Sequence, residues 1–490
     1  MGRAQGELDA IAVSRRDSMR EFSRRDFLHT TVKGGLSAWA LSQLRMRAEA
    51  QNRPNLVILV SDDMGWGDVG YHGADIKTPN IDQLVNEGVE LDRYYSFPFC
   101  SPTRVALMTG RSPNRMGIGG PINVGRPKPP MDEHFLSQSL HDAGYQTWIL
   151  GKWHLGGDSE EEAQYRPNHR GFDYAYGHMG GGIDYHKHTH WRGEHHDWYR
   201  NGKEIWEEGY ATDLESSEAI QRLKQRDKDR PFFLYVPFSA GHLPLQASEE
   251  LVEKYDHIED TKRRAYSAMV DAMDQAIGRI LKELDDEGLR DDTLVVFFSD
   301  NGGETRNGGA DNGSYRGAKG SVYEGGTRVP AVLRWPGVLP EGKKSSQVVS
   351  AMDWFPTLAA GLSVSPGNEK PFDGRNVWGQ LHGDKKNAAP EGMVIALSQT
   401  QGSVWDGPWK LVVASEEETM LFQLEDDPNE ERDISASHPE VVKRLAIRLA
   451  EMTSSLPKTN RRQPVRNAAD SSGAQQDSVQ SPSGGGRAGN

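Results

Sequence analysis

The sequence predicts an α/β fold: a large mixed, mostly parallel sheet sandwiched by helices, followed by a small antiparallel sheet with one helix. Three observations lead there. Short β-branched or aromatic runs alternate with helical periodicities over most of the chain, the pattern of a parallel sheet covered on both faces. After about Asn376 the runs shorten and are separated by turns, as in an antiparallel meander. The length of 490 residues exceeds one ordinary core and suits a large domain with a smaller companion.

The buried-strand runs are 55–60, 146–150, 232–236, 293–298 and 329–333. Between them the chain reads as helix at 80–87, at 133–143 and at 264–284. The last carries one apolar stripe of Ala268, Val270, Met273, Ile277, Ile280, Leu281 and Leu284. The later segment gives short strands at 394–397, 410–413 and 420–424, then a closing helix at 439–452. From about residue 456 the chain is Ser, Gln, Gly, Asn and Arg with almost no core former, which predicts a disordered tail. The expected division is a leader over 1–50, a catalytic domain over 51–375, an α+β subdomain over 376–455 and a tail over 456–490. No internal repeat is visible.

The leader carries Ser23-Arg24-Arg25-Asp26-Phe27-Leu28, which resembles a twin-arginine export signal. A weakly apolar stretch follows at 34–44, and Ala48-Glu49-Ala50 reads as a cleavage site, so the mature chain would begin near Gln51. Met19 is an alternative start. The competing reading is an ordinary basic amphipathic helix. The apolar stretch is too short to span a bilayer, and no other segment is apolar enough. The implied partner is the twin-arginine translocase, and the implied destination is the bacterial periplasm or the exterior.

Composition narrows the function. The formal net charge of −14 argues against nucleic-acid binding. It also repels polyanions at long range, so any anion must be held by a local cationic pocket. A single cysteine, Cys100, excludes an intramolecular disulfide and a cysteine-based zinc site. Taken alone, a lone cysteine is more often a small core residue than a nucleophile.

Charged groups follow the strands. Asp62 and Asp63 come after 55–60, Lys152 and His154 after 146–150, His242 after 232–236, and Asp300 and Asn301 after 293–298. In a parallel sheet these ends share one edge, where open α/β folds bind ligands. Three carboxylates and an amide oxygen drawn together repel unless a cation lies among them. Oxygen-only ligands suit calcium or magnesium rather than zinc. A single Asp after a strand is more often a helix cap or turn former; two sets on one edge favour the metal. Cys100-Ser101-Pro102-Thr103-Arg104 leads into a helix read from Thr103 and stopped by Gly110. Cys100 then stands at a helix N-terminus, a place for an anion, with Arg104 as a fork for oxyanions. A thiolate there would also serve as a nucleophile, so a cysteine hydrolase stays open.

Cys100-Ser101-Pro102-Thr103-Arg104 with Thr109-Gly110-Arg111 resembles the signature of the formylglycine-dependent type I sulfatases, in the alkaline phosphatase superfamily. Gly151-Lys152-Trp153-His154-Leu155-Gly156 matches that family's second signature. Ser61-Asp62-Asp63-Met64-Gly65 and Ser299-Asp300-Asn301-Gly302-Gly303 match its metal motifs. Arg316-Gly317-Ala318-Lys319-Gly320 with Tyr323-Glu324-Gly325-Gly326 matches the loop of a sulfate-binding lysine. Pro408-Trp409-Lys410-Leu411 and Leu421-Phe422-Gln423-Leu424, ahead of Asp427-Pro428, resemble its C-terminal subdomain. The resemblance runs from about residue 54 to 452. His242-Leu243-Pro244-Leu245-Gln246 and the segment to Val270 look closest to the arylsulfatase B, or N-acetylgalactosamine-4-sulfatase, type.

The resemblance implies an alkaline phosphatase-like fold and a sulfuric ester hydrolase of the arylsulfatase type. Cys100 would be oxidised to formylglycine (3-oxoalanine) by a formylglycine-generating enzyme, and its hydrate would attack sulfur. Asp62, Asp63, Asp300, Asn301 and modified Cys100 would bind calcium, with magnesium the alternative. Arg104 and Lys152 would steady the hydrate and its charge, and His154 would take a proton from it. His242, Lys319 and Lys152 would bind the sulfate, and either His242 or Lys319 would protonate the leaving alcohol. The substrate would be a sulfated small molecule or glycan, the glycan favoured by the aromatic-rich segment 174–206. The rivals are a phosphate or phosphonate ester hydrolase of the same superfamily and a non-catalytic anion- or glycan-binding protein with Cys100 unmodified. His186, His188, His190, His195 and His196, clustered with Trp191 and Trp198, read as a substrate-facing loop or solvated surface, with a zinc site as the lesser alternative.

Overall fold

Strand β1 (Asn55–Ser61) is buried along its whole length. Its side chains divide by parity. Leu56, Ile58 and Val60 join one apolar cluster and Val57 and Leu59 another. A strand with two apolar faces has to be covered on both, which makes β1 the middle of the molecule. The computed structural model describes residues 53–458 apart from Val124 and Glu194. The expected leader and nearly all of the expected tail therefore lie outside the described residues.

In chain order the next strands are β2 (Val89–Leu91), β3 (Tyr94–Tyr95), β4 (Gln146–Leu150), β5 (Tyr174–Gly177), β6 (Tyr199–Arg200), β7 (Lys203–Glu204) and β8 (Phe232–Pro237). Then come β9 (Thr293–Ser299), β10 (Ala331–Arg334), β11 (Lys343–Ser345) and β12 (Val349–Ser350). Strands β3 and β12 pair with each other. The rest form a ten-stranded sheet in the order β11-β2-β10-β9-β1-β8-β4-β5-β6-β7. Its centre, β9-β1-β8-β4-β5, is parallel, and β10 runs antiparallel to β9. The run expected at 329–333 begins as a strand only at Ala331, because Pro330 cannot donate to a ladder.

Helices cover both faces. On one side lie α1 (Pro79–Asn86), α4 (Ala211–Gln225) and α5 (Thr261–Asp286), which bring Ile81, Leu84, Leu223, Val270 and Ile277 to the cluster of Val57. On the other lie α2 (Cys100–Thr109), α3 (Leu136–Asp142) and α6 (Trp354–Gly361), which bring Val105, Leu140 and Trp354 to the cluster of Leu56. Helix α5 starts three residues before the expected 264. Asp260 fixes its first turn by accepting from the amides of Lys262 and Arg263, at 2.8 and 3.1 Å. Its buried residues begin only at Tyr266, more than a turn into the helix.

The C-terminal strands β13 (Met393–Ser398), β14 (Gln401–Asp406), β15 (Trp409–Val413) and β16 (Thr419–Gln423) form a four-stranded antiparallel sheet in chain order. Helix α7 (Pro439–Thr453) covers one face with Leu445, Leu449 and Met452. The other face, through Ile395, Trp405 and Phe422, packs on Phe97, Ala106 and Tyr323 of the larger unit. The expected mixed sheet with a small antiparallel companion is what the chain adopts. Among the described residues, no helix is long and apolar enough to cross a membrane.

Candidate active site

Strands β9, β1, β8 and β4 are neighbours and parallel, so the residues after them meet at one edge. The loops interlock through Asp300 N donating to Ser61 O at 3.1 Å, Asp62 N to Ala240 O at 3.0 Å and Lys152 N to Pro237 O at 2.8 Å. Asp63 and His154 both have left-handed backbone, with φ of 60° and 55°. Non-glycine residues hold such φ values at a cost of about 1–3 kcal/mol where the surroundings enforce them. For His154 the enforcement is visible: its N–H donates to Met179 O at 3.0 Å and its carbonyl accepts from Ser101 Oγ at 3.0 Å.

Cys100 is the first residue of α2, three residues earlier than the helix start read from the sequence. Pro102 fits inside the first turn because its missing N–H would have no intrahelical partner there. Cys100 is 2% exposed, and its Sγ lies 3.2 Å from His154 Nδ1. Arg104, one turn on, grips Asp300 Oδ2 through Nη2 at 2.7 Å and Nε at 3.1 Å, and donates to Lys152 O at 2.9 Å. The Lys152 ammonium donates to Asp62 Oδ2, both side chains being fully buried. Lys319 Nζ lies 2.6 Å from Asp63, whose Oδ1 also accepts from Asn301 Nδ2 at 2.7 Å. His242 Nε2 lies 3.9 Å from Asp63 Oδ2. The His242 Nδ1 donates to Leu243 O at 2.7 Å, which turns Nε2 to the site. All ten residues read from the sequence are therefore brought together.

Three carboxylates, of Asp62, Asp63 and Asp300, stand among three cations, of Arg104, Lys152 and Lys319. Burial opposes ionisation of Asp62, but the Lys152 ammonium, backed by His242, Arg104 and Lys319, holds its carboxyl well below the usual range. Burial and the Asp62 charge push Asp300 up to about 7. Burial, reinforced by Lys152, holds His154 well below the usual imidazole range. Burial and Lys319 bring His242 down to about 4. Burial also raises the Cys100 thiol, which disfavours a plain thiolate nucleophile.

The donor set fits a hard cation. One ligand atom each from Asp62, Cys100 and Asp300 lies within 4.8 Å of the other two. Asp62 Oδ1 and Asn301 Oδ1 are buried and accept no hydrogen bond from the protein. Buried oxygens without donors, next to further carboxylates, are what calcium or magnesium coordinates.

The histidine cluster does not gather into a metal site. His188 stacks on Trp198 at 4.6 Å and reaches Gly209 O at 3.1 Å. His196 stacks on Trp206 at 3.7 Å and reaches Ile205 O at 2.7 Å. His190 and His195 stack on each other at 5.0 Å. The segment is instead a ribbon whose Trp191 touches His242 edge-on at 5.3 Å.

Some supporting residues had no role in the sequence reading. The Tyr185 hydroxyl donates to His242 O at 2.9 Å and fixes that loop. Lys410, from β15, sits between Glu324 at 2.9 Å and Glu430 at 2.8 Å, all fully buried. This triplet ties the C-terminal sheet to the loop after Lys319. Glu324 and Lys410 lay inside recognisable motifs, which was the available signal; Tyr185 had none.

Against known proteins, the sequence profile of the sulfatase family matches residues 54–363, well over half of the chain. Arylsulfatase J of Mus musculus is 30% identical over 478 residues, covering 86% of this chain and 79% of that protein. N-acetylgalactosamine-6-sulfatase of Homo sapiens is 35% identical, over 67% of this chain and 66% of its own length. The crystal structure of Ps i-CgsB in complex with k-i-k-neocarrahexaose is 33% identical with a TM-score of 0.75, over 82% of this chain and 93% of that one.

Proposed function

Since the chain belongs to the sulfatase family and is a hydrolase of sulfate esters, we propose that its substrate is a sulfated carbohydrate, that calcium is its metal and that its nucleophile is formylglycine made from Cys100. The observation that carries this reading is the balance of charge around Cys100. Three carboxylates offset three cations there, and a divalent ion tips the site to a net positive charge that suits a sulfate ester. Two further observations support a sugar substrate: the aromatic ribbon beside His242 and the oligosaccharide bound to the similar i-CgsB.

Asp62, Asp63, Asp300 and Asn301, with residue 100, would hold the ion. A hydrated aldehyde beside calcium supplies a strong oxygen nucleophile and a sink for negative charge. Arg104 opposes the rise that burial imposes on the Asp300 carboxyl and holds it in place, and it pins the backbone at Lys152. Lys152, paired with Asp62, would answer charge developing on sulfate oxygens. His154, neutral because it is buried, has its Nδ1 3.2 Å from Cys100 Sγ and would accept a proton there from residue 100. His242 and Lys319 flank Asp63 and hold the sulfate, and one of them returns a proton to the leaving alcohol. Maturation by a formylglycine-generating enzyme and export through the twin-arginine translocase, to the periplasm or beyond, complete the reading; the Arg24-Arg25 signal supports the second.

The test is turnover. The chain is produced with a formylglycine-generating enzyme and calcium, then offered matched aryl sulfate and aryl phosphate, with Cys100→Ala as the blank. We expect sulfate release far faster than phosphate release, and an inert variant, a loss of at least about 10⁴-fold. Preference for phosphate would replace the sulfate reading with phosphate ester hydrolysis.

A further inference from the structure

Beside the reacting groups lies a cavity of about 480 Å³, with Lys187, His190, Trp191, Pro244 and Gln246 in its wall. That is far more room than a sulfate group fills, and it falls within the range of small-ligand sites (~300–1,000 Å³). Its link to the reaction is short. A methyl group added at Gly182 would lie 2.8 Å from Trp191 Cδ1 and 2.9 Å from His242 Cε1. One added at Gly181 would lie 2.7 Å from His154 Nε2, and one at Gly180 3.0 Å from His190 Cδ2. The bare strip Gly180-Gly181-Gly182 therefore touches both reacting histidines and the cavity wall.

The wall is held in place. Trp191 N donates to Gly182 O at 3.2 Å, Asp184 N to Thr189 O at 2.8 Å and His190 N to His195 O at 3.0 Å. Gln246 stitches the ribbon to the His242 loop: its Nε2 donates to Asp184 Oδ2 at 3.0 Å and its Oε1 accepts from Tyr185 N at 2.8 Å. A rigid wall loses little entropy when a ligand arrives.

Its chemistry is aromatic and cationic, in a protein of net charge −14. The Arg192 guanidinium lies 4.0 Å above the Trp191 ring. Lys187 and Arg192 are exposed. The acid in the wall, Asp184, already accepts from Gln246 and from the amides of His186 and Lys187, at 3.1 and 2.8 Å. An aromatic side chain bordered by basic groups matches a sugar ring that carries its own anion.

We propose that this cavity receives the sugar adjoining the one that loses its sulfate, and that Lys187, Arg192 and the His190–His195 pair bind a second sulfate on it. The preferred substrate is then a glycan sulfated on neighbouring sugars. The proposal rests on the sulfatase reading for its orientation, with the scissile sulfate at His242 and Lys319 and the next sugar against Trp191.

The test measures binding, so it does not depend on turnover. Cys100→Ala protein is titrated calorimetrically with two neocarra-oligosaccharides of equal length, the kind of sugar bound to the similar i-CgsB, one sulfated on a single sugar and one on two adjacent sugars. The doubly sulfated probe should bind about tenfold tighter or more, and Lys187→Ala with Arg192→Ala should bring the ratio to within about twofold of unity. Raising the salt concentration should shrink the ratio in the same direction. Equal affinities, no binding, or a ratio that survives the double variant overturns the proposal. Aryl sulfate turnover by the matured enzyme is read in parallel. Failure there removes the sulfatase chemistry and leaves the affinity ratio to judge the cavity by itself.

Discussion

Around Cys100 every charged side chain is buried or nearly so and answered by another: Arg104 by Asp300, Lys152 by Asp62, Lys319 by Asp63. Across the strip Gly180–Gly182 the arrangement reverses. Lys187 and Arg192 stand exposed, and the histidines lean on aromatic rings rather than on carboxylates. A buried charge is costly unless paired, so the first region is committed to one geometry before any substrate arrives. An exposed cation costs the fold little and stays free to meet a ligand. On the proposed reading the two regions do different work: the buried set carries the reaction, and the exposed set selects what is brought to it.

The largest effect belongs to Arg104. Arg104→Ala strands Asp300 as an unpaired buried carboxylate and should cost about 3–5 kcal/mol of stability, read as a lowered urea midpoint. An unchanged midpoint would mean that the buried charges are not mutually dependent. Removing calcium comes next. If Asp62, Asp63, Asp300 and Asn301 hold the ion, chelation should abolish turnover reversibly and lower the melting temperature, and calcium at 100 times its Kd should restore about 2.7 kcal/mol. A melting temperature indifferent to calcium would remove these residues as its ligands.

A subtler expectation concerns pH at the Lys410 triplet. Burial, with Glu324 adding to it, raises Glu430 to about 7. The folded state therefore holds this proton more tightly than the unfolded chain, where the ordinary value is near 4.5. Its contribution to stability is greatest in acid, declines as pH rises from about 4.5 to 7 and is level above that. Glu430→Gln should flatten this slope in urea titrations at successive pH values; an unaltered slope would place the proton elsewhere. The smallest effect belongs to the rim. Arg192→Ala should change stability by less than about 0.5 kcal/mol, since nothing buried depends on it. A larger loss would show that the rim is structural after all.

Much of the buried half was legible in the sequence for a local reason. Each strand that carries it is a continuous apolar run, and the charged residues follow directly after it, so strand and ligand are read together at 55–63, 146–154 and 293–301. Strand β14 escaped because only Val404 and Trp405 in it are strong strand formers. It is a strand because it is paired on both sides, and Gly402 is there because Ala396 and Leu449 press on that point. The Lys410–Glu324–Glu430 triplet was equally hidden. It joins side chains 86 positions apart in the chain, and no local periodicity announces a contact between two folded units. The rim was seen only as a cluster of aromatic and imidazole groups, because its meaning comes from the glycine strip that sets it against His242.

The order of strands in the sheet also sets a timetable. Asn55 in β1 lies opposite Thr293 in β9, so the middle of the sheet cannot close until the chain has been made that far. Cys100, 2% exposed once it does close, is synthesised about 190 residues earlier. At ~5–20 residues per second, that interval is on the order of 10–40 seconds. On the proposed reading, an enzyme that oxidises Cys100 meets an open peptide for at least that interval. Ribosome speed along the stretch between α2 and β9 would then enter the yield of active protein, and a pause there would lengthen the time available for maturation.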